Sequence, residues 1–181
     1  MRSAAALLAL LVIVIPSHAA VADQSVEKKV KAAFLYKFGS YVEWPSASFA
    51  SAESPFGLCV LDGDADFTGA LKTMVQSEHI HGHPVVVREL HAAASEPECH
   101  ILYLGTSDPQ VSAEAIKAVE GKNVLTVSEN SGQGIISFLI ADNRVRFNIN
   151  DKAAADNGLV ISSKLLDLAV NVTRRNQGVG Q

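Results

Sequence analysis

Short apolar runs separated by stretches of helical spacing constrain this chain more than any other feature. Phe56 to Leu61 (FGLCVL), Pro84 to Arg88 (PVVVR), Cys99 to Leu104 (CHILYL) and Asn123 to Val127 each have the length and side-chain content of a buried strand. Between the first two, Phe67, Leu71, Met74 and Val75 recur at helical spacing across Ala65 to Val75. Between the last two, Ser107-Asp108-Pro109 sets a capping side chain ahead of a proline in a first turn, which predicts a helix to about Val119. The β-α-β-β-α-β order predicts a three-layer α/β/α fold whose mixed, largely parallel sheet is covered by helices on both faces.

After Gly132 the pattern changes. Ile135 to Ala141 and Arg144 to Asn150 flank the polar pair Asp142-Asn143, which predicts an antiparallel hairpin closing the sheet. In its second strand Val145, Phe147 and Ile149 point one way, and Arg144, Arg146 and Asn148 the other. The first strand is apolar on both faces. It is therefore either central in the sheet or lends Ile136, Phe138 and Ile140 to another surface. Those three residues, with the C-terminal helix, are the candidate partner-binding surface, and ordinary core packing is the competing reading. Ser162-Ser163 open a final helix expected over 164–172, and 173–181 reads as a frayed tail.

The stretch Lys31 to Pro45, KAAFLYKFGSYVEWP, gathers Phe34, Tyr36, Phe38, Tyr41 and Trp44 in a chain with only 6% aromatic residues, so it must carry much of the core. Ala33, Leu35, Tyr36, Phe38, Gly39 and Val42 mix three- and four-residue spacings, as in a helix buried on a broad face. Pro45 ends it by restricting Trp44. Most of these aromatics are expected in the core. Tyr41 and Trp44 are the candidates for a homodimer interface, where Tyr and Trp are enriched.

Arg2, the uninterrupted apolar run Ala4 to Ile15 and the small residues of Pro16-Ser17-His18-Ala19 have the layout of a secretory signal peptide, expected over 1–22. The run is shorter than the roughly 20 residues that span a bilayer. The remainder, 23–172, suits a single domain exported to the periplasm. With 15 basic against 19 acidic side chains, the whole chain is a poor candidate for nucleic-acid binding through phosphates. Cys59 and Cys99 are the only cysteines. In an oxidising compartment they are a disulfide candidate worth ~4 kcal/mol if their strands are neighbours, and two buried thiols otherwise.

Asp62-Gly63-Asp64-Ala65-Asp66 alternates carboxylates like a calcium loop, but Phe67 and Thr73 stand where that loop needs glycine and glutamate. It is read as a turn whose carboxylates cap a helix. His79, His81 and His83 alternate, yet Gly82 and Pro84 make the segment a turn into a strand, so a solvated loop is preferred to a metal site. The chain has no nucleophile elbow, P-loop or dinucleotide fingerprint. No cofactor and no enzymatic activity are expected. An open α/β sheet does form a crevice beyond the carboxyl ends of its strands, and here Asp62, Gly105 and Ser128 are the polar groups available to a small molecule.

KAAFLYKFGSYVEWP, the LCVL and CHILYL strands, VLTVSE, RVRFNIN and AAADNGLVISSKLLDLA, taken in order, resemble the YfiR family of exported bacterial proteins from about Val26 to Val172. The resemblance implies a periplasmic, non-enzymatic regulator that represses an inner-membrane diguanylate cyclase by binding its periplasmic sensor region, lowering cyclic di-GMP. It further implies an outer-membrane lipoprotein antagonist, a homodimer, and pairing of Cys59 with Cys99, which match one cysteine pair of the family. The second pair of some members is missing here. Similar proteins accompany other membrane sensors such as histidine kinases, so a small-molecule receptor subunit is the alternative.

Overall fold

The computed structural model describes residues 19–91, 98–129 and 132–175; residues 1–18, most of the expected signal peptide, lie outside the described residues. In chain order the elements are α1 (Ala19–Tyr41), β1 (Val42–Glu43), β2 (Phe56–Leu61), α2 (Ala65–Met74), β3 (His79–Ile80), β4 (His83–Leu90), β5 (Ile101–Leu104) and α3 (Pro109–Ala118). There follow β6 (Leu125–Glu129), β7 (Ile136–Ala141), β8 (Arg144–Asn150), α4 (Asp151–Asp156), β9 (Val160–Ile161), α5 (Ser163–Leu166) and β10 (Val172–Thr173). The main sheet has eight strands in the order β10-β8-β7-β6-β5-β2-β4-β3. From β4 to β7 every pairing is parallel, and β8 returns antiparallel to β7. This is the mixed, largely parallel α/β fold with a closing hairpin that the sequence pattern predicts.

Strand alternation divides the core into two layers. Phe56, Leu58 and Val60 of β2 join Leu35 and Phe38 of α1 and Phe67 and Leu71 of α2 in one cluster. Cys59 and Leu61 face the opposite way and pack with Leu102, Leu104 and the α3 residue Ala115. The helices therefore cover both faces. In the larger layer Phe38 meets Phe138 and Phe147 at ring separations of 5.8 and 5.0 Å, which anchors α1 over the hairpin. Asp142 and Asn143 both adopt positive φ, 51° and 56°, as a two-residue hairpin turn requires.

The C-terminus corrects two expectations. The last helix is not 164–172 but Ser163–Leu166, capped by Ser162. Beyond it the backbone joins the sheet: Val170 donates to the Phe147 carbonyl, Ile149 to the Asn171 carbonyl, and β10 pairs parallel to β8. Covering an exposed strand edge outweighs the helical spacing of the apolar residues. Nor is the chain frayed from 173, because Arg175 donates from Nε and Nη2 to both carboxylate oxygens of Asp151, at 2.8 and 2.6 Å. Residues 176–181 lie outside the described residues.

Candidate functional site

The chain leaves β2 through α2 toward β4 on one side, and leaves β5 through α3 toward β6 on the other. The carboxyl ends of β2 and β5 are thus the topological switch point, where open α/β sheets form crevices. The two loops there touch backbone to backbone: a Cβ on Gly105 would stand 2.7 Å from Gly63 Cα, so glycine is needed for the approach. The Asp64 carboxylate accepts from the Phe67 N–H at 2.9 Å and starts α2. Beside these loops, under α1, lies a cavity of about 280 Å³ lined by Gln24, Glu27, Lys28 and Lys31 of the helix and by Asp64, Phe67, Tyr103, Gly105 and Glu129.

Its chemistry is a chain of ion pairs. Lys31, whose side chain is 7% exposed, lies 2.6 Å from Glu129 and 2.5 Å from Glu27. Tyr103 donates its hydroxyl to the other oxygen of Glu129. Burial lowers the affinity of Lys31 for its proton, but bonds to Glu129 and Glu27 outweigh it, and the pKa is raised. Burial, with the Glu129 charge beside it, holds the Tyr103 phenol far above its ordinary value. Nearer solvent, Lys28 stands 3.1 Å from Asp64 and 3.5 Å from Asp66. Of the polar groups the sequence nominates for this crevice, Gly105 lines it. Asp62 instead turns toward a separate small recess, and Ser128 donates to the Gln133 carbonyl. Lys31, Tyr103, Asp64 and Glu129 were not nominated.

The candidate contact surface is corrected. Ile136 and Phe138 are fully enclosed, at 0 and 1% exposure, because α1 lies across that face of β7; only Ile140, past the end of the cover, is exposed. An apolar groove of about 330 Å³ is open among the described residues, lined by Val30, Ala33, Phe34, Lys37 and Tyr41 of α1 and by Leu165 and Leu168. Tyr41 is on this groove. Trp44 is not: it is half-buried, with its ring packed edge-on against Phe56 at 5.0 Å, against the core layer.

The cysteines are bonded, Cys59 to Cys99 with Cα atoms 5.7 Å apart, tying β2 to the segment that enters β5. Next to them His100 is buried: Nδ1 accepts from the Gly57 N–H at 3.0 Å and Nε2 faces the Ser48 carbonyl at 3.1 Å. Its ring stacks against both Phe49 and Phe56. Burial, reinforced by His83 and Arg88, holds its pKa below the ordinary histidine value. The other histidines diverge. His81 sits at a positive-φ turn and bonds the Val42 carbonyl, while His83 bonds Ser54 and stacks on Phe49. Among the described residues no group of three ligating side chains converges for a metal. No helix among them is long and apolar enough to cross a membrane.

Fold and site together define a three-layer α/β domain with a charged crevice at its switch point and an apolar groove on the covering helix. Residues 28–170 match the model of the YfiR/HmsC-like family, and the chain belongs to that family. The family is a regulatory, non-catalytic kind of periplasmic protein, consistent with regulation of cyclic di-GMP signalling, and the disulfide accords with export. A solved structure described as the ABC domain in complex with L-Trp from Streptococcus pneumonia is similar in fold, with a TM-score of 0.50 at 10% identity. The match covers 81% of this chain and 62% of that one, so the present chain spans less than two thirds of that relative's length.

Proposed function

We propose that this protein is a periplasmic repressor that binds the periplasmic sensor region of an inner-membrane diguanylate cyclase and so lowers cyclic di-GMP. Family membership across 28–170 is the observation that carries this reading. An outer-membrane lipoprotein that sequesters the repressor, and a homodimer, belong to the same proposal. The groove along α1 supplies a suitable contact surface, since Val30, Tyr41 and Leu168 are exposed at 37, 39 and 60% around it, and such apolar patches mark interaction sites. The test is co-purification of the exported protein with the membrane cyclase from the native host. Recovery of the cyclase with wild type and its loss with Tyr41→Asp supports the reading; no cyclase with folded wild type refutes it.

A second reading is favoured by the crevice: a receptor subunit that takes a small molecule at the switch point and reports it to a membrane sensor such as a histidine kinase. The solved relative bound to L-Trp is a small-molecule complex of similar fold.

A further inference from the structure

We infer that residues 45–54 form a strap that opens on acidification, with the buried His100 as its proton-sensitive latch. Within the strap the backbone bonds to itself: Ser48 donates to the Pro45 carbonyl at 2.9 Å, Phe49 to the Ser46 carbonyl at 3.2 Å and Ser54 to the Ser51 carbonyl at 3.2 Å. The Ser51 and Ser54 hydroxyls accept from backbone N–H groups of the same segment. Among the described residues, two hydrogen bonds tie the strap to the rest of the fold, and both end on imidazoles. The Ser48 carbonyl faces Nε2 of His100 at 3.1 Å, and the Ser54 carbonyl faces Nδ1 of His83 at 2.7 Å. Phe49 stacks on the same two rings, 3.9 Å from His83 and 4.3 Å from His100. Hydrogen bonding and much of the packing of the strap thus meet on two titratable side chains.

The closed strap accepts one protonation state of His100. Nδ1 takes the Gly57 N–H and so carries no proton, which leaves Nε2 as the N–H that donates to Ser48. A second proton would set an N–H on Nδ1 against the Gly57 N–H. Burial opposes that charge first, and the groups facing the ring do little to offset it: His83 and Arg88 of β4 add to the opposition, and the Glu98 carboxylate is paired with Arg88. His81 bonds the Val42 carbonyl at the root of the strap, and Glu53 is the one charged residue within it. With Ser48 and Phe49 withdrawn, the ring is free to turn away from Gly57 and take up a proton in water. Opening also hydrates the Trp44 indole N–H and the Ser48 hydroxyl, buried groups with no hydrogen-bond partner among the described residues.

Above about pH 6.5 His100 is neutral in both forms and the closed strap prevails; below it the open form binds the proton more readily, so acid favours opening. Amide hydrogen exchange of the exported protein tests this, read residue by residue by NMR at pH 7.5 and 5.5 and corrected for the intrinsic pH dependence of exchange. Ser48, Phe49 and Gly57 are expected to be less protected than β6 and β7 at both pH values, and to lose about tenfold in protection at the lower one. His100→Asn, which keeps an acceptor for the Gly57 N–H but does not titrate, is expected to abolish that loss. Protection of the strap equal to that of β6 and β7 means that it opens only with the whole fold, and overturns the proposal. So does the absence of a loss in wild type, or a loss that persists in His100→Asn. If that variant fails to fold, Phe49→Ala decides: Ser48 unprotected at pH 7.5 while β6 and β7 remain protected supports the strap, and Ser48 protected as in wild type overturns it.

Discussion

Lys31 and Glu129 meet at 2.6 Å although 98 residues separate them in sequence, and the lysine is almost wholly enclosed. A charge taken out of water to this extent is tolerated only with partners, which here are Glu129 and Glu27. Removing one member of such a pair costs more than the pair contributes. Lys31→Met is expected to destabilise the fold by about 3 kcal/mol, and the double change Lys31→Met, Glu129→Gln by clearly less. Urea unfolding of the four proteins in the cycle checks this; additive losses would contradict the coupling.

The Cys59–Cys99 bond closes a loop with a sequence separation of 40. Replacing both cysteines with alanine is expected to lower stability by about 4 kcal/mol on the chain-entropy account, mostly by freeing the unfolded chain. The denaturation midpoint should fall by the same amount when wild type is measured under reductant. Equal midpoints with and without reductant would show the bond to be energetically idle.

His100 gives a pH dependence with a definite sign. Its folded pKa is lowered, chiefly by burial, so below the unfolded value of about 6.5 the unfolded chain binds the proton more readily. Protonation also converts Nδ1 into a donor aimed at the Gly57 N–H. This contribution is therefore neutral above about pH 6.5 and destabilising as the pH falls from there toward the folded pKa. Thermal melts from pH 8 to pH 5 should show a loss that His100→Asn reduces. An unchanged slope in the variant would refute the assignment.

Phe138 and Val30 separate core from surface. Phe138→Asp places a charge where 1% of the residue is exposed, and is expected to prevent folding; Val30→Asp, on the groove, is expected to leave the melting temperature within a few degrees of wild type. Circular dichroism melts of the exported proteins decide it. A folded Phe138→Asp would reopen the outward reading of β7.

The strands β2, β4, β5 and β6 and the hairpin were legible because their apolar runs and turn residues are local signals, whereas β3, two residues long, reads as a turn. What escaped was non-local. Val172 reads as the end of a helix and Thr173 as the start of a frayed tail until β8 offers an uncovered edge. Likewise β1 and β9, two residues each, pair only because the chain brings Val42 beside Ile161. The crevice was half visible: the switch-point rule locates it, but Lys31, Tyr103 and Glu129 come from three separated elements. One signal was present. Lys31, Leu35 and Phe38 form a single helical stripe, and a lysine on an otherwise buried stripe implies a buried partner. The outward assignment of Ile136 and Phe138 failed because a strand apolar on both faces does not reveal that both faces are covered.

Intracellular cyclic di-GMP in the native host, measured with the gene present, deleted and restored as the exported protein, tests the repressor account most directly. The account predicts a rise on deletion, reversal on restoration, and no rise when the partner cyclase is also deleted. Unchanged cyclic di-GMP on deletion would contradict it.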